Sequence, residues 1–404
     1  MKKKKLLFVI NTLSAAGAEM SFLQLLRQLD PKTYDIDVYV LLAQGELREQ
    51  LPAYVHLQNK SYSDCSVLSK KGKRHLVHRV LCAALYRGTV FFQLPYLFRT
   101  FIAMCKKRRL QPDKLLWQLL AQGTPAPKKE YDLAVAYLEG GSAYYVADRV
   151  RAKKKAAFIH IDYARAGYTR AIDRDCYLCY DRIFTVSGEG QRTFLDSYPQ
   201  LKGKLSLFHN PIDRDAMIEK SHELCTHPAW NSYHGKKLLT VGRLNPQKAY
   251  EVAIETMRLL KKNGADVRWY VLGEGAERER LEQLIRRYGL EEDFRLLGAV
   301  DNPYPYYAGC DLYVHATRFE GRSVAIQEAQ ALGCAVLASD CSGNREQITD
   351  DVDGRLVALD PPQIAAQIRA MLADPFLLER LGDAAAKKPT SHPEDIEELL
   401  SLTE

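Results

Sequence analysis

At 404 residues the chain is longer than one hydrophobic core usually supports, so two domains of roughly 150–200 residues each are expected. A hydrophobic fraction of 47% beside 26% charged residues excludes a disordered chain, and no apolar run nears the ~18 residues of a bilayer span, which excludes an integral membrane protein. The net charge of +7 is local: eleven Lys or Arg and no Asp or Glu fall between Cys65 and Pro112, leaving −4 on the remainder.

The opening Met1-Lys2-Lys3-Lys4-Lys5 has the charge of a secretory leader, but only five apolar residues precede Asn11 and no small-residue cleavage site follows. Leu6 to Ile10 therefore read as a first strand. Asn11 to Glu19 is a loop into an amphipathic helix, where Gly17 lets the backbone approach a phosphate and the helix N-terminus adds partial positive charge. Short apolar strands alternate with helical stretches from there on, the pattern of parallel α/β layers. Residues 5–11, 35–42, 131–138, 155–160, 182–187 and 205–210 form the first set of strands. The basic segment 65–112 interrupts them. Its Lys and Arg (70, 71, 73, 74, 79, 87, 99, 106, 107, 108, 109) are interleaved with Leu76, Val80, Phe91, Phe92, Tyr96, Phe98 and Phe101. That mix suits anionic lipid headgroups as well as it suits a two-helix insertion with an apolar core face and a solvated basic face. Nucleic acid ranks below both, because no nucleic-acid module accompanies the patch.

A polar stretch at 213–235 reads as a linker between a first domain at 1–212 and a second at 236–386, with a tail at 387–404. Strands of the second domain are expected at 237–242, 267–273, 294–298, 312–316, 335–339 and 355–358, followed by one helix over 361–386 and a last one over 393–400. Nine scattered cysteines fit reduced thiols. Cys176 and Cys179 are the close pair, but two further zinc ligands at suitable spacing are missing, and His209, His222, His227 and His234 are irregularly spaced. No zinc is expected.

Two motifs of the second domain carry chemistry. Thr240-Val241-Gly242-Arg243-Leu244-Asn245-Pro246-Gln247-Lys248 ends a strand and presents a guanidinium and an ammonium where parallel sheets bind ligands, both within reach of a diphosphate. Phe319-Glu320-Gly321-Arg322-Ser323-Val324-Ala325-Ile326-Gln327-Glu328 places two glutamates eight positions apart across a loop-to-helix junction, after the apolar run Leu312 to Ala316. Glu320 on the turn can accept hydrogen bonds from sugar hydroxyls, and the backbone N–H groups of Gly321, Arg322, Ser323 and Val324 at a helix start favour a phosphate. Glu328 lies about two turns on, roughly 12 Å away, the span from a donor sugar back to a ribose.

With the turns Leu272-Gly273-Glu274-Gly275 and Leu297-Gly298, this order and spacing resembles the C-terminal half of retaining GT-B glycosyltransferases of the Glu-x7-Glu group (family 4-like, "glycosyl transferases group 1"). The resemblance implies an α/β GT-B fold, two Rossmann-like domains facing each other across a cleft, the second holding a nucleotide-sugar donor. It implies donor contacts at Gly17, Gly242, Arg243, Lys248, Gly273, Leu297, Gly298, Glu320, Gly321, Arg322, Ser323, Val324 and Glu328, with His160, Glu320, Arg243 and Lys248 in catalytic roles. His160, ending the strand Phe158-Ile159-His160, matches a histidine that in similar enzymes points toward the donor sugar. No cofactor or metal is expected: four Asp-x-Asp pairs (35/37, 173/175, 213/215, 351/353) occur, none following the donor elements as a metal clamp would. The region from 155 to 213 looks like transferases of bacterial surface-polysaccharide assembly that act on lipid-linked acceptors at the cytoplasmic face. A UDP-sugar ranks ahead of a GDP-sugar as donor. Family members commonly have an aromatic or aliphatic residue and Pro where this chain has Arg322-Ser323, so an acidic or phosphorylated donor sugar is open. The rival class is a non-catalytic nucleotide-sugar-binding subunit of a membrane transferase complex.

Overall fold

The computed structural model describes residues 3–67, 69–106, 112–163 and 165–404. They form two compact units: Met1–Asn210 with His392–Glu404, and Pro211–Ser391. The first holds a parallel sheet of β1 (Lys4–Ile10), β2 (Tyr34–Val40), β3 (Val55–Leu57), β4 (Tyr131–Ala136), β5 (Ala152–Ile159), β6 (Arg182–Thr185) and β7 (Leu205–Leu207), in the order β3-β2-β1-β4-β5-β6-β7. β1 lies inside the sheet, pairing Leu6 with Ile36 on one side and Leu133 on the other. Leu6 to Ile10 are buried on both faces, which explains why this strand is an unbroken apolar run instead of an alternating one.

The second unit repeats the plan with β8 (Lys236–Val241), β9 (Val267–Leu272), β10 (Phe294–Gly298), β11 (Leu312–His315), β12 (Val336–Ser339) and β13 (Arg355–Val357), ordered β10-β9-β8-β11-β12-β13 and parallel. Strand order reverses between β8 and β11. Ligands of open α/β sheets bind at such a point, outside the carboxyl ends of the strands. Inside this sheet Trp269 is fully buried and its indole N–H finds Thr240 Oγ1 at 2.9 Å, so the large ring is buried without an orphaned donor.

Four expectations change. β3 was not anticipated. Residues 213–235 are no free linker: Asp213 caps the helix Arg214–Ser221, and Trp230 of the short helix Pro228–Asn231 is buried among Tyr270, Tyr306 and Ile212 of the second unit. The single helix over 361–386 is two, Pro361–Leu372 and Pro375–Ala386, because Asp374 caps the second and Pro375 cannot continue the first. The tail helix Pro393–Ser401 belongs to the first unit, where Ile396 and Leu399 join the cluster of Phe8, Phe22 and Phe158.

The basic insertion contains helices Lys70–Leu85 and Thr89–Lys106, followed by Pro112–Gly123; Lys107, Arg108 and Arg109 lie outside the described residues. Leu76, Val80 and buried Ala83 pack on the first core. The outer face is not simply solvated charge: Val77, Leu81, Leu85, Phe91, Phe92, Leu94, Phe98, Phe101 and Ile102 are exposed, beside exposed Lys70, Lys71, Lys73, Arg74 and Arg99. Among the described residues no single helix is long and apolar enough to cross a membrane; Lys70–Leu85 and Thr89–Ile102 together reach that apolar length but are bent by 104°.

Candidate active site

The carboxyl ends of β8, β9 and β10 approach one another through glycine. A Cβ on Gly273 (φ 147°) would sit 2.0 Å from the Gly242 carbonyl oxygen, and one on Gly275 would sit 2.1 Å from that of Leu244. Gly242 N–H bonds Leu272 O at 2.9 Å and Gly273 N–H bonds Gly298 O at 2.8 Å, so Gly242, Gly273, Leu297 and Gly298 share one edge of the second sheet. Arg243 follows Gly242 directly. Lys248 ends the turn Pro246–Lys248, fixed by Asn245 Oδ1 accepting from the Lys248 N–H at 3.2 Å.

Glu320, 72 positions from Lys248, meets it: Lys248 Nζ lies 2.5 Å from Glu320 Oε1, with side chains 15% and 8% exposed. His315, at the end of β11 and 1% exposed, places Nε2 3.1 Å from the same oxygen, 3.3 Å from Lys248 Nζ and 3.3 Å from Ser323 Oγ. Its Nδ1 faces Tyr313 Oη at 3.1 Å, and Gln247 Nε2 reaches Glu320 Oε2 at 3.4 Å. Burial pushes the Glu320 carboxyl up, but the Lys248 ammonium and the His315 hydrogen bond outweigh it and hold the carboxyl down at about 2. Burial and then Lys248 keep the His315 imidazole below its ordinary value, against the pull of Glu320.

Glu328 behaves differently. Its carboxyl is buried beside Tyr307, whose hydroxyl donates to Oε2 at 3.0 Å, and burial pushes it up to about 7. The Tyr307 ring packs on Tyr313 at 5.3 Å, so the two motif glutamates sit at opposite ends of an aromatic link that passes through His315. Ser323 caps the helix Val324–Ala331, its Oγ accepting from the Ile326 N–H at 3.5 Å. One expectation fails here: the Ser323 N–H is not free for a phosphate, because Gln347 Oε1 accepts it at 2.6 Å while Gln347 Nε2 donates to Ser323 O at 2.9 Å. The turn at Gly321 is pressed by Gly343, whose absent Cβ would stand 2.5 Å from the carbonyl oxygens of Glu320 and Gly321. Arg322 stands beside Gly321 and is half-buried.

Gly17 and His160 belong to the first unit. Gly17 opens the helix Gly17–Arg27 after β1, and His160 follows β5. Asn11 accepts from the Ser142 N–H at 2.8 Å and donates to the Glu139 carbonyl at 3.1 Å, while Glu139 Oε2 accepts from the His160 N–H at 3.1 Å, tying three strand ends together. The His160 ring packs on Tyr137 at 4.9 Å and donates to its carbonyl, and the buried Nε2 has no partner. Burial outweighs that hydrogen bond and lowers the imidazole to about 4, so it is neutral at physiological pH with one open acceptor.

His315, Gln247, Tyr307, Gly343 and Gln347 were missed by sequence reasoning. For His315 a signal existed, a titratable residue ending a four-residue apolar strand. The Asp-x-Asp pairs are engaged within the protein: Lys129 bridges Asp35 and Asp37 at 3.0 and 2.9 Å, and Asp213 and Asp353 accept from backbone N–H groups. Among the described residues one group has metal-ligand proximity, His209, His392 and Asp395, with ligand atoms within 4.8 Å. Its imidazoles stack at 3.9 Å with planes 22° apart, so their in-plane lone pairs run side by side instead of converging, and His209 Nδ1 is already 2.8 Å from Asp395.

Comparison with known proteins matches residues 228–388 to the family "Glycosyl transferases group 1". The N-acetylgalactosamine-N,N'-diacetylbacillosaminyl-diphospho-undecaprenol 4-alpha-N-acetylgalactosaminyltransferase of Campylobacter jejuni is 35% identical over 173 residues, 42% of this chain and 45% of that protein. The D-inositol 3-phosphate glycosyltransferase of Geodermatophilus obscurus is 35% identical over 210 residues, 49% and 47% of the two chains. The chain spans about half the length of these curated relatives. Among solved structures, Anabaena Alr3699/HepE in complex with UDP-glucose superposes over 99% of this chain and 97% of that one, with a TM-score of 0.67 at 16% identity, which shows the shared fold.

Proposed function

We propose that this protein is a retaining glycosyltransferase, on the match of residues 228–388 to the family "Glycosyl transferases group 1" and the fold it shares with Anabaena Alr3699/HepE. It moves a sugar from a nucleoside diphosphate sugar, UDP ahead of GDP, to a lipid-linked acceptor in bacterial surface-glycan synthesis. The observation that carries the reading is the buried Lys248–Glu320–His315 cluster beside Arg243 at the carboxyl edge of β8 and β11. Arg243, Lys248 and the helix start at Val324 hold the diphosphate and stabilise the charge that grows on it as the bond between C1 and the phosphate oxygen breaks. No metal is required for that role. Glu320 has both oxygens engaged by Lys248, His315 and Gln247, which suits a hydroxyl-binding carboxylate better than a nucleophile. The acceptor oxygen therefore bonds C1 on the face the phosphate leaves, its proton passing to the departing phosphate oxygen, and the anomeric configuration is retained. Glu328, its carboxyl pushed up to about 7 by burial and so about half protonated there, meets the ribose, and neutral His160 accepts from a sugar hydroxyl.

The exposed apolar face of Lys70–Leu85 and Thr89–Lys106, rimmed by lysine and arginine, supports contact with an anionic bilayer, where lipid-linked acceptors reside; the protein then works at the cytoplasmic face of the membrane. Calorimetry of UDP and GDP tests the donor site: one nucleotide binds, and Arg243→Ala abolishes it. Anomeric NMR of the product tests retention, an inverted product refuting it, and undiminished turnover in EDTA tests metal independence. Sedimentation with phosphatidylglycerol vesicles tests the surface, Phe92→Glu releasing the protein from them.

A further inference from the structure

Resting on the donor-site reading above, we propose that His315 is a positioning residue that takes up a proton when a diphosphate draws Lys248 away from Glu320. One carboxylate oxygen, Glu320 Oε1, holds the Lys248 ammonium at 2.5 Å and His315 Nε2 at 3.1 Å. The two nitrogens stand 3.3 Å apart in a site from which water is nearly excluded, His315 being 1% and Glu320 8% exposed. Two like charges at that distance in a buried site repel strongly, so while the ammonium stays the imidazole is neutral.

A diphosphate changes the competition. Its oxygens carry more charge than one carboxylate, and Lys248 is the lysine of this cluster. As the ammonium turns to the phosphates, Glu320 keeps only His315 and the 3.4 Å contact to Gln247, and an uncompensated buried carboxylate is costly. The imidazole is already in contact with that oxygen and takes a proton from solvent, so Glu320 keeps a charged donor and its orientation toward the sugar. Charge balances: the site gains one proton as the diphosphate brings its negative charge. In the neutral imidazole an Nε2–H that donates to Glu320 leaves Nδ1 bare beside Tyr313 Oη at 3.1 Å; protonation places an N–H there, which donates to that oxygen while the Tyr313 hydroxyl donates to the Val241 carbonyl at 3.4 Å.

The titratable groups around His315 come from its own strand and from the turns and helices beside it, while β12 contributes Ser339, whose hydroxyl donates to the His315 carbonyl. Tyr313 shares its strand, Glu320 and Ser323 come from the following loop and helix cap, Lys248 from the turn after β8, and Tyr250 from the helix Tyr250–Lys262 acts on Glu320. The phenols of Tyr250 and Tyr313 are pushed upward by burial and stay neutral near pH 7. Glu328 titrates near 7, so its contribution has to be subtracted.

The test is titration calorimetry of UDP, GDP and inorganic pyrophosphate at pH 7.5 in buffers of different ionisation enthalpy. In wild type the observed enthalpy rises with buffer enthalpy, reporting uptake of on the order of 0.5 to 1 proton, and affinity weakens with rising pH, by up to about tenfold per pH unit at full uptake. His315→Gln, which donates to Glu320 without titrating and leaves Glu328 in place, removes that slope. Lys248→Met removes it too, because the departing cation is gone. Equal slopes in wild type and His315→Gln, with binding intact, overturn the proposal alone. No binding of any of the three ligands overturns the donor-site reading along with it.

Discussion

Lys248→Met isolates the buried ion pair. With Glu320 8% exposed, holding its carboxyl at about 2 instead of 4.5 corresponds to roughly 3 kcal/mol of stability at neutral pH; Lys248 and His315 supply it together, so about 3 kcal/mol is the upper bound on what Lys248→Met removes. A unit the size of Pro211–Ser391 loses about 2–4 °C of Tm per kcal/mol, so its thermal transition falls by at most roughly 6–12 °C, and by less where His315 takes up a proton beside Glu320. The sign follows from the direction of the shift. Glu320 is depressed, so its stabilisation is complete above the unfolded value of 4.5 and is lost as pH falls through about 2. Calorimetric melting between pH 7 and 3 should show the wild-type advantage shrinking toward the acid end while Lys248→Met stays flatter. The double variant Lys248→Met/Glu320→Gln should regain most of the loss, since neither buried charge is left alone. A single variant within 2 °C of wild type, or a double variant as unstable as the single, refutes the pair as the source of the stability.

Glu328 carries the opposite sign. Its carboxyl is raised from 4.5 to about 7, so ionisation costs stability progressively as pH climbs through that window; Glu328→Gln should gain on wild type by up to roughly 3 kcal/mol at pH 8 and little at pH 5, read by denaturant melts at both pH values. Gly343→Ala should displace the Glu320–Gly321 turn, because the new methyl would lie 2.5 Å from two carbonyl oxygens; about 1–3 kcal/mol of stability and at least tenfold in nucleotide affinity should be lost, by melting and calorimetry.

Much of the second unit's candidate site was legible because its signals are local. A glycine at each strand end, an arginine and a lysine in one turn, and two glutamates on either side of a helix start are each readable within about ten residues. The twelve expected strands were found, since buried parallel strands are continuous apolar runs. β3 escaped because three residues beside Pro52 carry no period, and the break at Asp374-Pro375 was legible as a cap but was overridden by the apolar pattern on either side.

Length, the local basic segment, the α/β alternation and the identity of the charged groups were determined by the sequence itself, because propensity, burial pattern and turn chemistry act over short spans of chain. Which groups meet was decided by tertiary structure alone. Lys248 and Glu320 are 72 residues apart and are joined only because β8 and β11 are neighbours in the sheet; the same pairing gives His315 its cation and its carboxylate. The tail helix reaches the first unit for the same kind of reason: Ile396 and Leu399 make an apolar stripe on a helix of nine residues that cannot bury itself, and burial against Phe8 and Phe22 supplies the free energy that places it there.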